Sequence, residues 1–199
     1  ITAISDNFEA SLTAALECLS DIGVDTSGRF TDLQDQTIDD LFKLYPWEWM
    51  MADDFGKHLP GSGVRFIEPG WKAVLSNKGL LPLLWEMFEG HPNLLPSWFE
   101  GDPAAAALEG DYVRKPLFSR EGANIEIFEG GERTLSIDGT YGTEGHIVQA
   151  LRPLPDFGGN RPVIGSWLVA SQPCGMSIRE DSTMVTGDDA RFIPHVLQG

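Results

Sequence analysis

Ser5-Asp6 precedes apolar positions at Phe8, Leu12, Ala15, Leu16 and Leu19, the spacing of a capped amphipathic helix. Residues 23–33 break that spacing and read as loop and short strand, with a turn at Thr26-Ser27-Gly28. Thr37 then stands as the cap of a second helix whose apolar positions are Ile38, Leu41, Phe42 and Tyr45. Pro46 opens a further helical segment over 47–55, where its missing N–H costs little. Val64-Arg65-Phe66-Ile67 alternates and predicts a strand that ends at Pro69. Residues 71–76 and 80–88 predict short helices separated by Asn77-Lys78-Gly79, with Pro82 in the first turn of the second. A stretch rich in Pro and Gly follows over 90–110, with a small helix near its end.

From Asp111 the period changes. Residues 112–117, 124–128, 133–137, 147–152, 163–171 and 175–179 all read as strands. Gly130-Gly131 and residues 156–160 supply turns between them. The predicted class is α+β: a helical N-terminal half, then a mainly antiparallel sheet. A boundary near residue 110 separates a helical or mixed segment, 1–110, from a strand-rich lobe, 111–199.

Composition narrows the function. The 199 residues are 42% hydrophobic and 22% charged, enough to bury a core and too apolar for global disorder. No apolar run approaches the roughly 18–20 residues of a membrane helix. The start, Ile1-Thr2-Ala3-Ile4-Ser5-Asp6, has no basic segment and meets an acid at once, which argues against a signal peptide. A chain opening on Ile1 without methionine reads as a fragment, and the expected location is cytoplasmic. Thirty acids against fourteen Lys and Arg give a formal charge of −16. That field repels nucleic acid and anionic membrane, so neither is an expected partner. His58, His91, His146 and His195 show no ligand spacing for zinc.

Against such a field a local basic cluster is informative. In Tyr112-Val113-Arg114-Lys115-Pro116-Leu117-Phe118-Ser119-Arg120-Glu121-Gly122-Ala123-Asn124-Ile125, a strand bearing a lysine leads into a loop and a second strand. Backbone N–H groups near Gly122 and the Lys115 ammonium would suit phosphate oxygens. An ordinary polar hairpin with a surface lysine fits the same residues. Neither a Walker loop nor G-x-G-x-x-G is present.

Several blocks, in order, resemble the synthetase domain of the glutathionylspermidine synthase family. They are Tyr45-Pro46-Trp47-Glu48-Trp49, Phe66-Ile67-Glu68-Pro69, Leu75-Ser76-Asn77-Lys78-Gly79-Leu80-Leu81-Pro82-Leu83-Leu84-Trp85-Glu86, and His91-Pro92-Asn93-Leu94-Leu95-Pro96. The lysine-loop segment, Ile164-Gly165-Ser166-Trp167 and Ile178-Arg179-Glu180-Asp181 complete the series. The resemblance implies the C-terminal, nucleotide-binding portion of that domain and an ATP-grasp fold with ATP between two lobes. It also implies that Lys78 and Lys115 contact ATP and that Glu121-Gly122 belong to a loop covering the phosphates. Gln149, Ala150, Leu151 and Arg152 match the adenine-pocket segment, Val163 another pocket position, and Met184, Val185 and Thr186 a further nucleotide stretch. Arg179 matches the active-site arginine; a structural ion pair with Glu180 or Asp181 is the alternative for that residue.

The activity so implied is an ATP- and Mg²⁺-dependent carboxylate–amine ligation through an acyl phosphate. A glutathione-like peptide carboxylate and a polyamine-like amine would be the partners. The resemblance also implies that the family's magnesium carboxylates lie upstream of the matched region, so the chain alone is expected to lack them and to be inactive. A non-catalytic nucleotide-binding or interaction module of the same fold, or a ligase for another peptide–amine pair, are the competing expectations. Oligomeric state leaves no mark in the sequence.

Overall fold

The computed structural model describes residues 22–43, 45–108 and 110–196, and the helix expected over 5–19 lies outside them. The chain divides into two compact units, Ile1–Ser76 and Asn77–Gly199.

In the first unit β1 (Gly23–Val24) pairs antiparallel with β2 (Phe30–Thr31), and β3 (Asp40–Phe42) pairs parallel with β4 (Arg65–Ile67). Between β3 and β4 run α1 (Trp47–Ala52) and a 3-10 helix, Gly56–Gly61. A second 3-10 turn, Gly70–Lys72, leads into the four-residue α2 (Ala73–Ser76). The inner anchor is Lys43, 3% exposed, whose Nζ donates to Glu68 Oε2 at 2.7 Å and to the Tyr45 carbonyl at 3.2 Å. The same ammonium lies 4.4 Å from the Trp47 ring centroid, so a buried charge has both an anion and an aromatic face.

The helical N-terminal half expected from the sequence is therefore corrected. Residues 40–42, assigned above to a second helix, form a strand with Leu41 half-buried between exposed Asp40 and Phe42. Pairing with Arg65–Ile67 satisfies its backbone, and that non-local partner outweighs the weak helical spacing. Pro60, Pro69 and the glycines at 56, 61, 63 and 70 interrupt longer helices, so 3-10 turns take their place.

The second unit opens with α2's successor, α3 (Leu80–Met87). A five-stranded antiparallel sheet follows, built from β5 (Ser97–Phe99), β6 (Tyr112–Pro116), β7 (Glu126–Glu129), β8 (Glu132–Ser136) and β9 (His146–Ala150). Its order is β5-β9-β6-β7-β8, so the last strand in sequence sits between the first two. Strands β10 (Arg161–Val169), β11 (Gln172–Asp181) and β12 (Arg191–Ile193) form a separate antiparallel sheet in that order. Strand β5 was not foreseen: it lies in the Pro-rich and Gly-rich stretch, and β9 draws it into the sheet.

Alternation sorts the five-stranded sheet into two faces. Registers Val113↔Gln149, Val113↔Ile127, Lys115↔Ile147 and Ser97↔Gln149 put these residues on one face. Ile147, Ile127 and Val113 are buried there together with Ser97 and Gln149. The start of α3 lies against this face. A Cβ on Gly79 would come 3.1 Å from Phe99 Cε1 and 3.3 Å from Leu117 Cδ2, so a larger residue there would require those side chains to give way by a few tenths of an ångström. Among the described residues no helix is long and apolar enough to cross a membrane.

The opposite face carries charge. Arg114 Nε donates to Glu100 Oε1 at 2.6 Å and its Nη1 to Glu126 Oε2 at 2.9 Å, while Arg133 also pairs with Glu126. His146 Nδ1 stands 3.0 Å from Arg114 Nη2. A guanidinium only donates, so Nδ1 accepts and the imidazole is neutral with its proton on Nε2. Burial and the Arg114 charge hold the His146 pKa below the ordinary 6.5, against the pull of Glu100 and Glu126. The unfolded chain thus takes up a proton that the folded one resists, and stability falls as pH drops below that ordinary value. In urea titrations the midpoint is expected to decline from about pH 7 to about pH 5.5, and less steeply in His146→Gln. Glu100 is held low first by Arg114; at Glu126 burial acts upward, but Arg133 and Arg114 prevail. Their share is lost only at more acidic pH.

Candidate functional site

Lys78 and Lys115 meet the same end of β6. The Lys78 backbone N–H donates to the Leu117 carbonyl at 2.9 Å, just past the strand. Its Nζ reaches the Ser119 carbonyl at 2.6 Å and Ser119 Oγ at 2.8 Å. Asn77 caps this junction, its Oδ1 accepting from the Gly79 N–H at 2.7 Å. The lysine expected to touch phosphate is therefore lashed to the root of the loop expected to cover it. Ser119, which holds it, was not singled out in the sequence; a lone hydroxyl in a loop carries no pattern.

Lys115 points to the buried face. Its Nζ donates to Gln149 Oε1 at 2.7 Å, a diagonal reach from β6 to β9. Gln149 Nε2 donates in turn to Ser97 Oγ at 2.8 Å, and Ser97 Oγ lies 2.9 Å from the Leu95 carbonyl. Lys115 forms no ion pair among the described residues. Desolvation by the surrounding protein lowers its pKa from the ordinary lysine value. Ala150 and Leu151 continue β9 by backbone bonds to the Pro96 and Asp111 carbonyls, both 2.9 Å, and Arg152 is exposed beyond them.

The loop between β6 and β7 turns at residues 120–123. The Ala123 N–H donates to the Arg120 carbonyl at 3.0 Å, and Glu121 and Gly122 both have positive φ, 53° and 78°. That is the signature of a type I′ turn, in which glycine is at ease and glutamate is strained. Glu121 is exposed at the turn. A Cβ on Gly122 would come 2.7 Å from Val185 Cγ1 and 3.4 Å from the Thr186 carbonyl. Two stretches far apart in sequence, 121–122 and 185–186, are thus in direct apposition.

Asp181 holds the second of those stretches. Its Oδ2 accepts from the Gly187 N–H at 2.9 Å and its Oδ1 from the Thr183 N–H at 2.8 Å. These backbone donors, Gly187 first, lower the Asp181 pKa. The Thr183 hydroxyl lies 2.6 Å from the Val185 carbonyl and 2.9 Å from Asp181 Oδ1. The sequence offers Asp181 as an ion-pair partner of Arg179, and the Asp-Ser-Thr order that winds such a turn is the signal for the role it takes instead. Met184, 37% exposed, projects from this loop.

Arg179 faces Val163 directly across β10 and β11, with Phe192 of β12 on its other side. Its half-buried guanidinium has no hydrogen bond or ion pair among the described residues. The alternative pairing is not made: Glu180 is 3.7 Å from Arg191, and Asp181 is engaged by its own loop. Two half-buried cations, Lys115 and Arg179, thus have no carboxylate partner among the described residues of a strongly acidic chain. Such groups are suited to an anionic ligand. Among the described residues no group of three or more His, Cys, Asp or Glu side chains is placed to hold a metal ion.

The family model for the glutathionylspermidine synthase preATP-grasp matches residues 7–198. Similar proteins include one from Haemophilus influenzae whose name, acid–amine ligase, is itself provisional; it is 44% identical over 188 residues, 89% of this chain and 47% of that protein. A trypanothione synthetase of Crithidia fasciculata is 29% identical over 83% of this chain and 28% of its own length. The bifunctional glutathionylspermidine synthetase/amidase of Escherichia coli is 25% identical over 93% of this chain and 33% of its own. The chain spans less than half the length of each of these relatives. The matched description is that of the preATP-grasp domain, which corrects the expected placement in a C-terminal portion. With almost its whole length matched, the chain belongs to the glutathionylspermidine synthase preATP-grasp family, a family of acid–amine ligases and synthetases.

Proposed function

We propose that this chain supplies the phosphate-binding face of an ATP-dependent carboxylate–amine ligase. The observation that carries the reading is the Lys115 ammonium, desolvated yet matched only by a carboxamide, in a chain of formal charge −16. A cation that needed only structural neutralisation would have found one of thirty acids, as Lys43 did. Lys78, fixed to Ser119, adds a second positive charge at the same strand end. Gly122 lets the loop of residues 120–123 lie directly on Val185 and Thr186, which brings together two stretches that the resemblance assigns to the nucleotide.

In this reading a peptide carboxylate oxygen of the glutathione class attacks the γ-phosphorus of ATP, and ADP leaves. The nitrogen of a polyamine-like amine then attacks the acyl carbon, phosphate departs with the C–O bonding electrons, and the nitrogen releases a proton to solvent to leave the amide. Lys78 and Lys115 would hold and neutralise phosphate oxygens, and Arg179 would stabilise charge at the reacting phosphoryl and acyl groups. Gln149, Ala150, Leu151, Arg152 and Val163 would line the base pocket, with Met184, Val185 and Thr186 flanking the nucleotide opposite Glu121-Gly122. Magnesium would supply charge neutralisation at the phosphates, and among the described residues no group of three or more His, Cys, Asp or Glu gathers to hold it without them. For the chain alone we propose nucleotide binding without turnover, in the cytoplasm.

Calorimetry with ATP at millimolar concentration is the direct test. Lys115→Ala is expected to weaken binding tenfold or more, about 1.4 kcal/mol, while exposed Lys57→Ala leaves it unchanged. Equal affinity in wild type and Lys115→Ala would remove the phosphate assignment. Gly122→Ala is expected to cost about 1–2 kcal/mol in urea unfolding, through positive φ and the collision with Val185, and to weaken ATP as well.

A further inference from the structure

The partner of Lys115 is a primary amide, whose two ends differ in chemistry but hardly in shape. Facing an ammonium, the oxygen attracts and the NH₂ repels; a flip of the amide plane exchanges one for the other. Gln149 is 6% exposed and Ser97 1% exposed, so neither end of the amide has water to compensate a wrong choice.

The surrounding groups leave one consistent direction. Lys115 Nζ can only donate, which requires Gln149 Oε1 at 2.7 Å to be the acceptor. Nε2 is then turned to Ser97 Oγ at 2.8 Å and needs an acceptor there. The Ser97 hydroxyl can accept because its own proton is directed to the Leu95 carbonyl at 2.9 Å, a group that only accepts. Each link is fixed by the next, from a backbone carbonyl at one end to an ammonium at the other. Ser97 stands directly opposite Gln149 in the β5–β9 register, so the sheet itself sets the separation.

We propose that Ser97 is a positioning residue which, by locking the orientation of the Gln149 carboxamide, holds the Lys115 ammonium in place for an anionic ligand. The ligand clause rests on the nucleotide reading above; the lock itself does not. Without the Ser97 oxygen, a buried Nε2 has no acceptor, and the flipped amide would set its NH₂ against the ammonium. The charged form of Lys115 then loses its acceptor and becomes easier to deprotonate.

The test is the titration of the Lys115 Nζ resonance by nitrogen-15 NMR, in the full chain without nucleotide. In Ser97→Ala the Lys115 proton dissociation constant is expected to rise about threefold or more. In Ser97→Ala/Gln149→Glu, a carboxylate with two equivalent oxygens removes the choice of orientation, and Lys115 is expected to titrate at or above the wild-type pH. If Ser97→Ala does not fold, Ser97→Cys keeps most of the volume with weaker hydrogen bonds, and a smaller shift in the same direction is expected. An unchanged Lys115 titration in a folded Ser97 variant, whatever its stability, would overturn the lock. ATP calorimetry on the same samples separates the two ideas. A shifted titration with no wild-type ATP binding would leave the lock standing and overturn the nucleotide reading.

Discussion

A half-buried ammonium answered by a neutral amide is an expensive arrangement, and the inner row of the five-stranded sheet meets it through Gln149 and Ser97. Desolvation disfavours the charge, and a carboxamide returns only part of what water supplied. The first unit solves the same problem differently. Lys43 is more deeply buried than Lys115, but Glu68 and the Trp47 ring neutralise it, which makes it a strut. Lys115 keeps its charge uncompensated, and that difference distinguishes a residue that braces the fold from one with electrostatic capacity left over.

The loops about that lysine are held by backbone as much as by side chains. Asp181 gathers two N–H groups and thereby sets the Val185–Thr186 segment against Gly122. Lys78 ties the beginning of α3 to the first turn of the loop after β6. Neither contact involves a residue near its partner in sequence. The first depends on the positive φ and missing Cβ of Gly122, features that tolerate few substitutions.

The strand-rich half was legible because alternation is a local signal: residues 112–116, 126–129 and 132–136 each show it without help from elsewhere. The first half misled because apolar spacing at Ile38, Leu41, Phe42 and Tyr45 fits a helix. The strand pairing at 40–42 depends on residues 25 positions later, which no local window includes. Among the candidate residues, the block resemblance carried Lys78, Lys115, Gln149 and Arg179. It could not reveal that Lys115 and Gln149 bond to each other, since diagonal contact follows from register. Ser97 was invisible for the same reason: its partner is a strand whose position beside β5 is a matter of topology.

The strand order β5-β9-β6-β7-β8 has a consequence for how this chain is made. Strands β6, β7 and β8 follow one another as neighbours and are able to pair as they leave the ribosome. Strand β5 has no partner until β9 emerges, and the bond from Gln149 to Ser97 closes a span of 52 residues. A loop of that size is slow to close relative to a hairpin. The inner row that seats Lys115 is therefore assembled last, after the outer ribbon already exists as a template. Any chain terminated before His146 would keep the meander but lack its middle, leaving two raw edges and no seat for the ammonium.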